Sequence, residues 1–393
     1  MAMFVTETRT DLFLQGSPVE MDNTSIAANL SLLITTSPVA QAQSAIPEYV
    51  QRTMFICEYV LMPIICSLGI VGNGLSLCVL TRREMAAATT CFLTAMAVSD
   101  LLLLVLQIPT FFEFNQSIAA TYSFKHFIRH YIVFRYVMNN VFLTCTGWLT
   151  VGVTIERFIS LRFMFYPRLV CSISRARLAI IVIFVLSFIF HFSKFFEYVP
   201  NQDLDDPRQI LSTHLVHTPT YETYLHATNI ALAAIIPVFL LIIANSFLIY
   251  FLATHRHSML CNKASPSSSM TSVDMIHVSA IVVATVLIFI ACHSVGVFLG
   301  LTIASKGRNY VFGRPQYIAL KHINTVLIMI NSSVNFPLYC AISCKFRKTF
   351  IEVFKGRLAR KGTWTSAMPL SENGAGNEYT IPQAISVKFT PLH

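Results

Sequence analysis

Charged residues are scarce in this sequence: they account for 12% of its 393 residues, whereas hydrophobic residues account for 54%. This balance excludes an ordinary soluble domain, because about a quarter of the residues in such a domain are charged. The apolar residues instead form runs long enough to cross a bilayer as helices. Seven membrane spans are predicted, at residues 54–81, 89–112, 128–160, 176–197, 223–252, 275–303 and 315–342.

Basic residues are few on one side of these spans and concentrated on the other. Seventeen of the 28 Lys and Arg residues lie in or beside the segments that follow the first, third, fifth and seventh spans. Basic segments of this kind face the cytoplasm, so the N-terminus is predicted to be extracellular in a multi-pass protein of the plasma membrane. The net charge of +9 then reports membrane topology and gives no support to nucleic-acid binding.

The predicted outer loops contain no cysteine, although the chain has ten. Disulfides form on the oxidising side of a membrane, so we expect free thiols and no disulfide. No cysteine spacing is typical of a metal site, and no Ser/His pair lies at one depth, so an enzyme is not expected. Internal repeats are also missing, and only one acid lies deep in a span, which argues against a transporter or channel.

The chain divides into one membrane domain and two tails. Residues 1–53 are predicted to be a disordered extracellular tail that carries glycosylation sequons at Asn23 and Asn29, and a third sequon begins at Asn115 after the second span. Residues 54–342 form the bundle. Residues 343–356 alternate apolar and basic positions, which predicts an amphipathic helix on the inner membrane surface. Residues 357–393 are predicted to be a disordered cytoplasmic tail.

One acid, Asp100, lies deep in a predicted span. A buried carboxylate without partners is costly, so it must be protonated, paired or bound to a cation. Polar residues at a similar depth in three other spans are expected to share its site: Asn73, Thr146, Asn331, Ser332 and Asn335. Two interpretations remain open, a structural polar cluster that joins helices and a functional switch or ion site.

A charged triplet, Glu156-Arg157-Phe158, ends the third span. Its residues alone allow a simple ion pair at the membrane interface, with long side chains that reach toward water. They equally allow an arginine that is held or released according to the state of the protein.

These motifs together resemble the rhodopsin-like G-protein-coupled receptors over about residues 54–356. The resemblance rests on Gly72-Asn73, Asp100, Glu156-Arg157-Phe158, Pro237 and Asn335-x-x-x-Tyr339, each in the matching span. Short strings at 195–197, 292–294 and 331–336 are further similar to invertebrate FMRFamide-type neuropeptide receptors. The resemblance implies an all-α bundle of seven membrane helices.

The resemblance also implies roles for these residues. Glu156, Arg157, Phe158, Asn335 and Tyr339 would form the switch that contacts a heterotrimeric G protein. Asp100 would bind sodium together with Thr146, Ser332 and Asn335, as a structural ion, and no other cofactor is expected. Membrane lipids and an extracellular peptide would be the remaining partners.

Several residues usual in that family are missing here. Ile132 stands where a helix 3 cysteine normally binds the second outer loop, and that loop has no cysteine, so we expect it to be more mobile. The sixth span has Cys292-His293-Ser294 without the usual tryptophan and proline, so its hinge is expected to differ. Met329 replaces the lysine that holds retinal, and Asn139 replaces the aspartate that binds amines.

The expected ligand contacts lie near the outer ends of the spans. They combine acids with polar and aromatic side chains at Glu113, Arg135, Tyr136, Asn139, Asn140, Glu197, His293 and Tyr317. An acidic rim suits a peptide with a basic residue such as an Arg-Phe-amide, because a carboxylate pairs well with arginine. The preferred function is therefore a neuropeptide receptor that activates G proteins. The alternative is a chemosensory or ligand-independent receptor on the same fold.

Overall fold

The computed structural model describes residues 47–162, 172–200, 210–261 and 266–364, and most of them are helical. Seven long helices follow one another: α1 (Glu48–Leu80), α2 (Ala88–Phe111), α3 (Tyr122–Arg162), α4 (Ile173–Phe196), α5 (219–261), α6 (Pro266–Lys306) and α7 (315–342). An eighth helix, α8, follows them (Cys344–Trp364). The connections hold short helical turns at Arg83–Met85, Gln116–Ala119, His214–His217 and Arg308–Phe312, and two strands, β1 (Tyr198–Pro200) and β2 (Ile210–Ser212).

Five helices of the described chain, α1, α2, α4, α5 and α6, are long and apolar enough to cross a membrane. The two segments of α7, Pro315–Ser333 and Asn335–Ile342, meet at 41° and together make a sixth. The third predicted span lies in α3, which is more polar because Asn139, Asn140 and several threonines interrupt its apolar run. Those asparagines are buried, so α3 directs its polar groups toward protein and not toward lipid.

Helix α3 lies at the centre of the bundle, where it contacts α2, α4, α5 and α6. The largest apolar cluster packs around its second half and includes Leu149, Leu248 and Phe289. A second cluster joins α1, α2 and α7 and includes Cys66 and Leu104. We call the end of the bundle that carries β1 and β2 the hairpin end, and the opposite end, where α3 finishes, the Arg157 end.

Prolines account for the irregular parts of α5 and α7. Pro237 interrupts the regular hydrogen bonds of α5, because proline has no amide hydrogen to donate. The residues just before it, His226–Ile235, form a π-helix. The α7 bend lies at Val334, and Pro337 follows one turn later. Helix α6 has no internal proline and runs unbroken from Pro266 to Lys306, in agreement with the altered hinge that its sequence predicts.

The strands β1 and β2 form an antiparallel hairpin in which Tyr198 pairs with Ser212. The hairpin packs on α3: the rings of Tyr136 and Tyr198 meet edge to face with centroids 5.3 Å apart, and both join a buried cluster with Ile128 and Ile132. Aromatic packing thus seats this part of the second loop on α3, and the greater mobility expected of the loop stays a prediction. Residues 201–209 lie outside the described residues.

The predicted tails overlap the described helices. Residues 48–53, predicted as part of the first tail, form the first turns of α1, where Glu48 and Arg52 pair one turn apart at 2.6 Å. The predicted amphipathic helix at 343–356 corresponds to α8, which continues to Trp364, beyond the predicted start of the second tail. Asn23 and Asn29 lie outside the described residues.

Candidate functional site

Asp100 lies at the centre of a buried polar cluster. Its carboxylate is fully buried and accepts hydrogen bonds from Asn335 Nδ2 at 2.8 Å and from Thr146 Oγ1 at 3.2 Å. The Thr146 hydroxyl also lies 3.2 Å from Ser99 Oγ, and Ser99 donates to the carbonyl of Phe142. Helices α2, α3 and α7 therefore meet at Asp100, as the isolated acid in an apolar run predicts.

Asn73 extends this cluster from α1 to α7. Its Nδ2 donates to the carbonyl of Ser332 at 2.8 Å and to that of Gly69, one turn earlier in α1. A Cβ atom at Gly69 would lie 2.2 Å from Ser333 Oγ, so glycine permits the close approach of these two helices. Asn331 is buried on the same helix as Ser332.

At the Arg157 end, Glu156 holds Arg157. Arg157 Nε lies 2.9 Å from Glu156 Oε2, and Arg157 Nη2 lies 3.1 Å from Oε1. Ser160 and Thr89 also donate to the same carboxylate, and Thr89 comes from α2. The paired charges and the link to α2 fix both side chains in one arrangement.

Tyr339 lies on α7 and is almost completely buried. Its ring packs 5.5 Å from the ring of Phe346 at the start of α8. Its hydroxyl makes no hydrogen bond within the part of the chain that the structure describes. Phe158, on α3, packs 6.1 Å from Phe247 of α5. The predicted switch residues thus lie on two helices, α3 and α7, and Asn335 of α7 bonds to Asp100 in the buried polar cluster.

A small cavity of about 30 Å³ lies nearer the hairpin end, between α3, α5, α6 and α7. We call it the polar cavity; its lining residues are Asn140, Leu143, Thr144, Asn229, Ala233, His293, Gly296, Val297, Asn324 and Ile328. Of the predicted ligand contacts, only Asn140 and His293 line it. The His293 ring stacks on Phe289 with centroids 4.1 Å apart.

Two other predicted ligand contacts, Tyr136 and Glu197, bind each other. Tyr136 OH donates to Glu197 Oε2 at 2.8 Å, and Tyr221 OH donates to Oε1 at 3.0 Å. Lys194 Nζ lies 3.4 Å from the same Oε1, and both charged side chains are buried. Glu197 is therefore not part of an exposed acidic rim, because its charge is neutralised inside the protein. Three further acids of the second outer loop, Asp203, Asp205 and Asp206, lie outside the described residues.

The remaining predicted contacts are dispersed. Arg135 Nη1 donates to Gln107 Oε1 at 2.8 Å, and Gln107 Nε2 donates to Asn139 at 3.2 Å. Tyr317 packs 6.1 Å from Tyr310, between α6 and α7, and Glu113 lies in a turn after α2. The structure therefore does not bring all eight predicted ligand contacts into one site.

Several buried partners escaped the sequence analysis. Lys194 and Gln107 were not singled out, although Lys194 lies one helical turn before Glu197. Glu58 of α1 pairs with His322 of α7 at 2.8 Å, an ion pair when the histidine is protonated. No spacing rule connects α1 with α7, so only the fold could show this contact.

Asn115, the described sequon, lies at the hairpin end and is exposed. Its Oδ1 accepts hydrogen bonds from the amides of Ser117 and Ile118 and so caps the helix Gln116–Ala119.

A family model described as serpentine-type seven-transmembrane G-protein-coupled chemoreceptor Srw matches residues 60–357. The chain belongs to this receptor family. The family match and the apolar helices make the receptor a multi-pass membrane protein built as a seven-helix bundle, as predicted. They also indicate a receptor rather than an enzyme.

Three curated relatives of the receptor are named as peptide receptors of invertebrates. It is 27% identical to the FMRFamide receptor of Drosophila melanogaster over 77% of this chain and 54% of that protein. It is 25% identical to an FMRFamide peptide receptor of Caenorhabditis elegans over 74% of this chain and 68% of that protein. It is 24% identical to the sex peptide receptor of Drosophila melanogaster over 76% of this chain and 73% of that protein.

The receptor thus spans about half the length of the Drosophila FMRFamide receptor that it matches. The names of these relatives agree with the predicted resemblance to FMRFamide-type receptors and do not favour the chemosensory alternative. The family description includes the word chemoreceptor, whereas the relatives are named for peptides.

Proposed function

We propose that this chain is a plasma-membrane receptor for an amidated, FMRFamide-like neuropeptide and that it activates a heterotrimeric G protein. The observation that carries the proposal is the course of α3. This one continuous helix lines the polar cavity with Asn140 and Thr144 and ends with the Glu156–Arg157 pair. A ligand that moves α3 against its neighbours therefore acts on the same element that holds the switch residues.

The switch works by selection between two helix arrangements. In the arrangement described, Glu156 and Thr89 keep Arg157 close to α3 and α2. A second arrangement, stabilised by the peptide, frees Arg157 and moves Tyr339 from its contact with Phe346, so that both reach the G protein. The buried Tyr339 hydroxyl, which has no hydrogen-bond partner in the described chain, supports a second position for this ring.

Asp100 suits a sodium ion. Its carboxylate is buried and, among the described residues, its hydrogen-bond partners Thr146 and Asn335 are neutral, so one negative charge is not balanced. Carboxylate and hydroxyl oxygens are the ligands that hard cations prefer. Asp100, Thr146, Ser332 and Asn335 would hold the ion, which would supply the missing positive charge.

The orientation of the receptor follows from its basic loops, and the N-terminus is extracellular in this proposal. Glycans on Asn23, Asn29 and Asn115 would then face outside. Lipid tails cover the exposed apolar side of α4, on which Leu178, Ile181 and Val185 point away from the bundle. Helix α8 lies on the inner membrane surface.

The test is a calcium or cAMP measurement in cells that express the receptor and are exposed to a library of amidated neuropeptides. A saturable response to an Arg-Phe-amide peptide is expected. Arg157→Ala should reduce the maximal response by about tenfold or more without loss of surface expression, because the paired guanidinium is removed. Arg83→Ala, which changes an exposed arginine at the same end, should have no effect. A lack of response to every peptide of the library, despite surface expression, would contradict the proposed peptide ligand. Full signalling by Arg157→Ala would contradict the proposed role of Arg157 in the switch.

A further inference from the structure

Two histidines lie one helical turn apart near the start of α3, at the hairpin end. His126 and His130 are both exposed, and their ring centroids are 5.0 Å apart with the ring planes at 42°. Residues four apart share one face of a helix, so both rings point the same way. Ile128 and Ile132, on the other side of the helix, are buried in the cluster beneath the hairpin. The histidine face is therefore directed away from the hairpin.

The separation of the two rings suits a single zinc ion between them. A zinc ion bound by two imidazole nitrogens at about 2.0–2.1 Å, in tetrahedral geometry, places the two ring centres about 5 Å apart. The 5.0 Å between the rings of His126 and His130 agrees with this value. A plain contact between two rings has a similar distance, so the hydrogen bonds of the rings must distinguish the two cases.

A hydrogen bond fixes the tautomer of His130. Its Nδ1 lies 3.1 Å from the backbone carbonyl oxygen of His126. A carbonyl oxygen only accepts, so Nδ1 carries the proton and Nε2 keeps a free lone pair. Histidines that bind a metal usually donate their other ring N–H to a carbonyl or a carboxylate in this way. His130 is therefore already oriented as a metal ligand, which a simple ring contact does not require.

The charged neighbours of the two histidines point in other directions. Lys125 and Arg129 each precede one histidine, and consecutive residues of a helix do not face each other. Arg129 is buried and Lys125 is half-buried, whereas both imidazoles are exposed. Imidazole nitrogens suit Zn²⁺ and Cu²⁺, whereas Ca²⁺ and Mg²⁺ prefer oxygen ligands. The pair therefore selects a transition metal.

We propose that His126 and His130 bind one zinc ion on this face of α3. Within the part of the chain that the structure describes, no group of three or more His, Cys, Asp or Glu residues could hold a metal, so the site has two protein ligands. Water completes the four positions around the ion, which is therefore held reversibly. The ion fastens the turn of α3 next to the contacts of Ile128 and Ile132 that seat the hairpin. The site is independent of the peptide proposed above, so a failure of either proposal leaves the other unaffected.

The first experiment is a calorimetric titration of zinc chloride into the purified full-length receptor in detergent, after bound metals have been removed. In His126→Ala and in His130→Ala, the Kd for zinc at this site should rise about tenfold or more, because one of two ligands is lost. Magnesium chloride should not bind there. Equal zinc binding by the wild type and both variants would overturn the proposal.

Two control variants separate metal binding from ring contacts. Lys125→His/His126→Lys keeps the composition but sets the histidines five residues apart, on different faces, so zinc binding should weaken as in the alanine variants. Tyr122→Leu removes the ring that stacks on His126 at 6.3 Å but leaves both ligands, so zinc binding should stay unchanged. Tight zinc binding by the first control, or its loss in the second, would contradict a site formed by the histidine pair.

A second experiment measures the thermal stability of the same proteins. Zinc at about ten times its Kd should raise the Tm of the wild type and of Tyr122→Leu by about 3 °C, but not that of His130→Ala. A rise that persists in His130→Ala would place the ion elsewhere.

A third experiment identifies the ligands directly. Copper(II) bound at this site should show magnetic coupling to two imidazole nitrogens in an electron paramagnetic resonance spectrum, and in His130→Ala to one at most. Coupling to fewer than two nitrogens in the wild type would mean that the two rings do not share a metal.

Discussion

Two carboxylates, Asp100 and Glu197, are completely buried in the bundle, but their surroundings differ. Asp100 lies among neutral donors from α3 and α7, so its charge has no described counter-charge. Glu197 lies at the hairpin end with Lys194 at 3.4 Å and two tyrosine hydroxyls. In our proposal the first site gains or loses a cation, whereas the second is already neutral and links α3, α4, α5 and the hairpin.

The Asp100 site therefore suits a switch, whereas the group formed by Glu197, Lys194, Tyr136 and Tyr221 holds the hairpin on the helices. We call this group the Glu197 clamp. A buried charge without a partner makes its site responsive, because any cation or proton that arrives is bound strongly. A buried pair with satisfied hydrogen bonds adds little net stability over apolar residues, but it is costly to break on one side only. The Glu197 clamp takes the place of a covalent link between the hairpin and α3, because neither the described hairpin residues nor the first half of α3 contains a cysteine, and Cys145 lies further along that helix.

The largest effect is expected from Lys194→Met, which would leave Glu197 charged and unpaired. The free energy of unfolding should fall by about 3–5 kcal/mol, seen as a lower Tm of purified receptor in detergent. The double variant Lys194→Met/Glu197→Gln should recover most of this loss, because neither charge remains. Arg52→Met breaks the exposed Arg52–Glu48 pair and should cost less than about 0.5 kcal/mol. If the single and double variants lose equal stability, the Lys194–Glu197 ion pair does not hold the hairpin on the helices.

A smaller effect is expected from Tyr136→Phe, which removes one hydrogen bond to the Glu197 carboxylate. A bond to a charged group contributes about 1.5–3 kcal/mol, so Tm should fall measurably. Tyr131→Phe is the matched control, since Tyr131 OH donates to a neutral carbonyl of Leu106 at 2.8 Å. It should cost about 1 kcal/mol. If both variants lose equal stability, the charge of Glu197 does not strengthen its hydrogen bond with Tyr136.

Asp100→Asn should act in the opposite direction to Lys194→Met. In a sodium-free buffer the variant should be as stable as the wild type or more stable by about 1–2 kcal/mol, because an unbalanced buried charge is gone. In sodium chloride, but not in choline chloride, the wild type should gain stability and Asp100→Asn should not. A sodium-dependent rise in Tm that persists in the variant would place the ion elsewhere.

The contrast also shows how far sequence reasoning could reach. Asp100, Thr146 and Asn335 were predictable, because polar residues in apolar runs at matching depth must find one another. Lys194 and Glu197 lie at the end of a span, where a sequence cannot distinguish a solvated acid from a buried one. Tyr221 enters from beyond the hairpin, and only the fold brings it to Glu197.

The same limit applies to the polar cavity. Asn140 and His293 were predicted, but Asn229 and Asn324 were missed, although each is an amide in an apolar run, the same signal that identified Asn331 and Asn335. For α6 the sequence predicts an altered hinge, because the usual internal proline is missing, and the helix runs unbroken from Pro266 to Lys306. The α7 bend was not predicted, since Pro337 alone does not show which residue before it leaves the helix.

The smallest effect is expected from a reducing agent. The hairpin is held by the Tyr136–Tyr198 contact and the Glu197 clamp, so mild dithiothreitol should leave peptide binding unchanged. A radioligand assay with and without reductant measures this, and a receptor with a disulfide at the second outer loop serves as the positive control. A loss of binding would contradict the prediction that no disulfide holds the outer loops, which contain none of the ten cysteines. Unchanged binding, together with its loss in Lys194→Met, would show that a buried ion pair positions the hairpin above the ligand.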